Sequence, residues 1–363
     1  MLPPLYAAWI EALLGAAPPE EREATCDRCA MRPPAGGPRS PGAVYFTESM
    51  CCTYSPRVHA FLAGRLLDDG AEDVARARAE LERRIDARSG ITPRGVLGPR
   101  WYWSLYATAT FGRSERLRCP YFEPENGRCG MWRHRESVCA TWFCKFERGA
   151  LGDAFWSAAA DLLRHLEEAL TLHCALELEV GSEALAMLAR PEERESDGDD
   201  LDGRVPDERH AAAWGRWIGR EREYYRACAR ITGALSPLDV ERLGGAQGRA
   251  LTAVARQRLE ALSAERVEGQ PLRLGTYHVV TVQDGFARVR TYRSFDPLDV
   301  PLGLLAALPR FDGRPTPEVV EEIAVQHGIA VSPQLLRTLT DFEIIVPVGA
   351  PAVTPTRGGE RPR

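Results

Sequence analysis

The sequence predicts an α+β fold that is mostly helical and has three parts in chain order. Residues 1–150 contain eight of the ten cysteines behind a helical lead-in and form an irregular cysteine-rich domain. Residues 151–268 form a helical middle region, because apolar residues recur there at the spacing of a buried helix face. Residues 269–349 form a small winged-helix-like module with a hairpin that turns at Asp-Gly. We expect residues 350–363 to be a disordered tail.

The charge and hydropathy of the chain exclude some classes of partner. The formal net charge is −5, so bulk attraction to nucleic acid or to an anionic membrane is not indicated. No segment approaches the ~18 consecutive apolar residues that cross a bilayer. The N-terminal stretch carries Glu11 among its apolar residues and has no basic leader, which predicts an amphipathic helix rather than a signal peptide. We therefore expect a cytoplasmic protein whose thiols are reduced.

Eight clustered cysteines make residues 1–150 a candidate metal-binding domain: Cys26, Cys29, Cys51, Cys52, Cys119, Cys129, Cys139 and Cys144. In a secreted protein they would fit four disulfides, but in a reducing compartment the clustering favours metal ligation or redox chemistry. Four thiolates satisfy a zinc ion or an iron–sulfur cluster. Eight exceed the needs of one ion. Two four-coordinate sites, a cluster plus a zinc ion, or one site with spare redox cysteines all agree with the count.

Several residues near these cysteines have competing interpretations. Neighbouring side chains point to opposite sides of an extended backbone, so one of Cys51 and Cys52 is expected to serve a different metal or none. His59 and His134 are alternative ligands, although packing is the simpler role for each. Cys174 and Cys228 lie in helical patterns and are expected to be small core residues.

Other segments of the first two parts have clear patterns. Residues 71–88 predict a charged helix that faces solvent, and the aromatic residues near 101–106 predict either core packing or a dry shell around the cysteines. The acidic stretch 191–209 predicts a solvated linker, and residues 243–248 (LGGAQG) predict a helix break. One helix face is predicted between residues 151 and 188, with Glu167 among its polar residues: Phe155, Leu162, Leu166, Leu170 and Cys174.

The C-terminal part has a pattern of its own. Tyr277–Val282 and Phe286–Tyr292 predict two strands on either side of Asp284-Gly285. Residues 301–308, 316–327 and 332–341 predict three helices, and residues 342–348 predict a closing strand.

Residues 117–146, LRCPYFEPENGRCGMWRHRESVCATWFCKF, resemble the core of a cysteine-cluster family described as a zinc- or iron-chelating domain and often labelled YkgJ. The motif positions are Cys119 with Phe122, then Gly127 and Cys129 with Met131, then Arg135 and Cys139. Cys26, Cys29, Cys51 and Cys52 correspond to the first block of that family, which is usually more compact than here. Because the family includes flagellin lysine-N-methylases, the resemblance implies metal binding and a protein-methylating activity.

Residues 270–349 resemble PqqD-like peptide-recognition domains through the hairpin, the three helices and the phrase LPRFDGRPTPEVVEEI. The resemblance implies that a protein or peptide substrate adds a strand to the hairpin edge. Residues 332–341 contain only one basic residue, Arg337, which argues against DNA binding.

Two hypotheses follow for the whole chain. In the first, an iron–sulfur cluster or iron serves an enzyme that modifies a protein or peptide. In the second, zinc staples a non-catalytic interaction protein. The clustered thiols and flanking aromatic residues favour iron, with zinc as the alternative cofactor.

Overall fold

The structure is a computed structural model that describes residues 2–21, 29, 49–108, 112–189, 207–263, 269–294 and 296–349. Cys26, most of the predicted acidic linker and the predicted C-terminal tail lie outside these residues. Within the described ranges the fold is α+β and mostly helical, which confirms the predicted class.

Helices supply most of the described structure, and three of them in the cysteine-rich part, at residues 60–68, 100–106 and 137–141, were not predicted. The bounds are α1 Pro4–Leu14, α2 Ala60–Asp68, α3 Ala75–Asp86, α4 Arg100–Tyr106, α5 Ser137–Thr141, α6 Gly149–Glu177, α7 Ser182–Ala189, α8 Asp207–Trp214, α9 Glu221–Ala234, α10 Pro237–Ser263, α11 Leu302–Ala307, α12 Thr316–His327 and α13 Pro333–Asp341.

The strands are short and form four small antiparallel sheets. Their bounds are β1 Val58–His59, β2 Ile91–Thr92, β3 Gly95–Val96, β4 Phe122–Glu123, β5 Arg128–Cys129, β6 Leu272–Leu274, β7 His278–Gln283, β8 Phe286–Arg290, β9 Leu298–Pro301 and β10 Ile345–Pro347. In the described residues the sheet orders are β1-β3-β2, β4-β5, β10-β6 and β7-β8-β9.

The long helix α6 is the centre of the core. All five residues of its predicted apolar face are buried, as a repeat of 3.6 residues per turn requires. It packs along α10 on one side and against α5, which belongs to the cysteine-rich part, on another. Gly245 interrupts α10 with φ 62° and ψ −154°, which confirms the predicted helix break. One apolar cluster runs from Leu2 to Ile345.

The helix over residues 71–88 differs from the prediction. A 3₁₀ turn, Glu72–Val74, leads into α3, as expected for a helical segment. However, α3 does not simply face solvent, because Ala77, Leu81, Arg84 and Ile85 are buried. Charged residues dominate this segment, so its sequence does not reveal the narrow apolar stripe formed by Leu81 and Ile85.

The C-terminal elements follow the predicted order. The β7–β8 hairpin turns at Asp284 and Gly285, whose φ values are 50° and 81°, as a turn with two left-handed residues requires. Gly328 ends α12 with φ 65°, and the Ser332 side chain caps α13 by accepting a hydrogen bond from the Leu335 N–H. The pattern predicted neither β6, which pairs with β10, nor β9, which adds a third strand to the hairpin ahead of α11.

The C-terminal elements are fastened to the start of α6. The Arg148 Nε lies 2.5 Å from the Asp341 Oδ2, and Arg148 also donates to the Leu262 carbonyl at 2.6 Å. The Phe146 N–H donates to the Asp296 carboxylate at 3.1 Å.

In the described part of the chain, no helix is both long enough and apolar enough to span a bilayer.

The crossing of α2 and α9 gives a direct test of the packing. A Cβ at Gly64 of α2 would lie 1.9 Å from the carbonyl oxygen of Tyr225, so the helices must separate to admit a methyl group. We predict that Gly64→Ala lowers the free energy of unfolding in urea by about 1–3 kcal/mol or more.

Gly233, on the partner helix α9, is the control. A Cβ there meets nothing within 4 Å, so Gly233→Ala is expected to raise stability by about 0.5–1 kcal/mol through helix propensity. Equal effects of the two substitutions would contradict the close crossing.

Candidate metal centre

Cys51 and Cys52 lie in a tight turn. The Cys52 N–H donates to the Ser49 carbonyl at 2.8 Å, the Tyr54 N–H donates to the Cys51 carbonyl at 3.3 Å, and Met50 has φ 47°. The two thiols hydrogen-bond to each other. The sequence argument that they point apart assumed extended backbone. It does not apply here, because the chain reverses at this pair.

The turn is held from three directions. The Tyr102 hydroxyl donates to the Thr53 carbonyl and accepts from the Ser55 N–H, both at 2.7 Å. The Arg118 Nε donates to the Ser49 hydroxyl at 2.7 Å. The Cys119 N–H donates to the Cys52 carbonyl at 2.7 Å, which brings the backbone of a distant cysteine against the adjacent pair.

Cys119 and Cys129 belong to one small β structure. The Cys119 carbonyl accepts from the Phe122 N–H at 3.1 Å, and Phe122 pairs with Cys129 across β4 and β5. Cys139 lies in α5, whose first turn is capped by Glu136, and its N–H lies 2.9 Å from the Glu136 Oε1. Three separate segments therefore present cysteines to the same neighbourhood.

Five of these thiols each lie within electrostatic reach of at least one other and are here called the thiol cluster: Cys51, Cys52, Cys119, Cys129 and Cys139. All five are free thiols. Burial raises the pKa of Cys119, Cys129 and Cys139, and neighbouring thiols raise each of these pKa values further. In Cys51 the hydrogen bond from Cys52 outweighs burial, and the pKa is lowered.

The remaining predicted ligands are less closely defined. Cys26 lies outside the described residues, whereas Cys29 and Cys144 are described and half-buried. As the described side chains stand, no group of three or more His, Cys, Asp and Glu residues is arranged to hold a metal ion. The thiol cluster therefore has the donor chemistry of a metal site without a preformed ligand geometry.

The two candidate histidines bond to other side chains. The His134 Nε2 lies 2.8 Å from the Asp69 Oδ2. The His59 Nδ1 lies 3.0 Å from the Thr171 hydroxyl, and its Nε2 lies 3.5 Å from the Glu167 Oε2. Cys174 and Cys228 are buried between α6 and α9, where the Cys174 thiol lies 3.7 Å from the Cys228 carbonyl.

A buried polar network adjoins the thiol cluster, and the sequence did not predict it. Glu167 of α6 is only 1% exposed. It accepts from the Ser137 N–H at 2.7 Å, from the Ser137 hydroxyl at 2.5 Å and from the Tyr6 hydroxyl of α1. Burial, and next the charge of Glu167, raise the pKa of Glu136 to about 7. Since Glu136 also bonds to Cys139, the network connects α1 and α6 to the cluster.

Aromatic side chains cover another side of the thiol cluster. Tyr54, Tyr102, Trp103 and Tyr106 pack together, with Tyr102 and Trp103 edge to face at a centroid separation of 4.9 Å. These rings form an apolar cluster of their own with Leu117. Tyr102 packs in this apolar cluster, and its hydroxyl also holds the turn that carries Cys51 and Cys52.

Comparison with known proteins returned no matching family model, no matching curated protein and no matching solved structure. The resemblances in the sequence therefore stay predictions.

The Glu167 network can be tested through stability. Tyr6→Phe removes a donor to a buried carboxylate, and we predict a loss of about 1.5–3 kcal/mol in the free energy of unfolding. The matched control is Tyr225→Phe, which removes a hydroxyl that donates to the neutral Thr92 carbonyl at 2.9 Å. We expect it to cost about 0.5–1.5 kcal/mol in the same urea titration. A Tyr6→Phe loss no larger than that of the control would contradict a charged acceptor at Glu167.

Proposed function

We propose that the thiol cluster binds iron, as an iron–sulfur cluster or an iron ion, with a structural zinc ion as the alternative. The observation that supports the proposal is that three chain segments carry five free thiols within electrostatic reach of one another, with the Cys119 N–H bonded to the Cys52 carbonyl at 2.7 Å. Soft thiolate ligands select iron–sulfur clusters and zinc over hard cations. The proposal assigns Cys51, Cys52, Cys119, Cys129 and Cys139 as donors, with Cys26, Cys29 and Cys144 as further ligands or redox thiols.

The donor set fits such a centre chemically. Burial favours the protonated thiols of Cys119, Cys129 and Cys139. A metal ion binds thiolates instead, so metal binding would release these protons. Each Sγ moves by rotation about a single torsion, χ1, and binding requires such rotations because the described thiols are not preformed as a ligand group. Bound iron–sulfur would supply redox chemistry, and bound zinc would supply folding free energy.

The surroundings of the thiols favour iron. The aromatic cluster that includes Tyr102 holds the turn of Cys51 and Cys52, as suits a shielded redox centre. A reducing, cytoplasmic location belongs to the same proposal, since thiols persist there. Methylation of a protein, which the family resemblance implies, stays an expectation about the reaction.

Substitution of single cysteines tests the assignment. We predict that Cys129→Ser and Cys139→Ser each lower bound metal by at least about half, because a hydroxyl is a poor ligand for these metals. The measurement is elemental analysis with a visible absorption spectrum on the full chain purified without oxygen. Iron with sulfide and a band near ~400 nm indicates a cluster, whereas colourless protein with zinc indicates the alternative.

Cys174→Ser and Cys228→Ser are the controls. Both residues are cysteines of the core between α6 and α9 and are expected to leave the metal content unchanged. If Cys129→Ser and Cys139→Ser retain full metal content, these two residues are not ligands.

A second function, peptide binding, is favoured by the exposed strand β7. We propose that an extended peptide pairs with β7, which is an edge strand of the order β7-β8-β9. All six of its residues are exposed, and three of them are large apolar residues: Val279, Val280 and Val282. Natural proteins usually blunt such edges with charges or proline, so an apolar edge suits strand addition by a partner.

Selection from a displayed library of short peptides tests this function. The double substitution Val280→Lys with Val282→Lys is expected to reduce binding of the selected peptides about tenfold or more, because it places charges on the edge. Val325→Lys is the control, since Val325 of α12 is 80% exposed and lies outside the strand. Peptides that bind both variants equally well would exclude β7 as the binding edge.

A further inference from the structure

Arg135 is a buried cation beside the thiol cluster. Only 5% of the residue is exposed, and its guanidinium carbon lies 3.4 Å from the centroid of the Trp132 ring. The Nε donates to the Trp132 carbonyl at 3.1 Å, and an Nη donates to the Cys139 carbonyl at 3.1 Å. Stacking and two hydrogen bonds therefore fix the plane and position of the charge.

This charge acts on two other members of the cluster. In Cys129, burial raises the pKa and the Arg135 charge opposes part of that rise. In Cys51, the hydrogen bond from Cys52 lowers the pKa most, and Arg135 adds to the effect. Arg135 thus contacts the backbone of one cluster cysteine and lies within electrostatic reach of the thiols of two more.

An acidic group also lies against Cys139. It is Glu136, whose carboxylate accepts the N–H groups of Val138 and Cys139.

A bound centre carries an excess of negative charge. Four thiolates and a divalent ion, or four thiolates and an iron–sulfur cluster of charge +2, carry a net charge of about −2. Burial of an uncompensated charge costs several kcal/mol per ion, so a buried centre of this kind requires cations close by. Arg135, whose guanidinium donates to the Cys139 carbonyl, supplies one buried positive charge in contact with the cluster.

We propose that Arg135 is an internal counter-ion of the thiol cluster, offsetting part of the negative charge of a metal centre held by four of its thiolates. This inference rests on the proposed metal-binding function. It deepens that function by assigning charge compensation to a residue that is not a ligand. It applies to iron–sulfur and to zinc alike, because the net charge is the same.

The test compares charge with packing at Arg135. Zinc affinity is measured by competition with a chelator on the full chain stripped of metal. Arg135→Gln keeps a hydrogen-bond donor and removes the charge, so we expect affinity to fall about tenfold or more. Arg135→Lys keeps the charge, so we expect affinity within about threefold of the unsubstituted chain. Arg133→Gln is the control, because Arg133 is exposed and pairs with Asp73 at 2.5 Å.

Cobalt substitution separates a counter-ion from a residue that only orients ligands. We expect the thiolate-to-cobalt absorption per bound ion to be the same in Arg135→Gln as in the unsubstituted chain, because the number of thiolates is unchanged. Equal weakening by Gln and Lys, full affinity in the Gln variant, or a lower absorption per bound cobalt would each overturn the counter-ion role while leaving metal binding intact. An unsubstituted chain that binds neither zinc nor cobalt would overturn both proposals.

Discussion

The carboxylate of Glu167 is buried in the middle of α6, and the structure around the thiol cluster depends on satisfying it. A buried charge is tolerated only when hydrogen bonds and a counter-charge compensate its lost hydration. The partners here are Tyr6, Ser137 and His59, which belong to α1, α5 and the strand that precedes α2. One side chain of the helical region therefore positions the N-terminal helix and the segment that carries Cys139.

The cost of burying a charge also governs the thiol cluster, whose ionisable groups are thiols. Thiols are weak hydrogen-bond partners, so a buried thiol costs little while it is neutral and much more once it is ionised. Burial accordingly raises the pKa values of Cys119, Cys129 and Cys139. A bound metal would reverse this preference by stabilising the thiolates directly, and in our proposal the buried guanidinium of Arg135 would offset the excess negative charge.

The sequence predicted the features that arise from local patterns. The apolar repeat of α6, the Asp284-Gly285 turn and the Ser332 cap were all evident, because each depends on residues within a few positions of one another. The spacing of the cysteines predicted a shared site, and that assignment stays a prediction, because no group of three or more of the described side chains is arranged to hold a metal ion. The local turn at Cys51 and Cys52 was missed, because neither glycine nor proline marks it and the left-handed residue is Met50.

Burial of charged residues could not be predicted in the same way. Glu167 stands beside Glu168 in α6 and Arg84 stands beside Arg83 in α3, and nothing adjacent to them distinguishes them from those more exposed neighbours. The burial of Glu167 follows from a distant partner, since Tyr6 and Glu167 are 161 residues apart. Arg135 and Glu136 precede Cys139 by four and three residues, and their place in the cysteine motif is the sequence signal that points to them.

The central claim is that thiolates of the cluster hold a metal ion, and X-ray absorption at the metal edge of the full-length protein tests it most directly. The account predicts about four sulfur neighbours per metal, at ~2.3 Å for zinc or for iron in a cluster, with a second shell of iron in the latter case. A metal surrounded by oxygen and nitrogen alone, or protein without metal whose cluster cysteines are paired as disulfides, would contradict it.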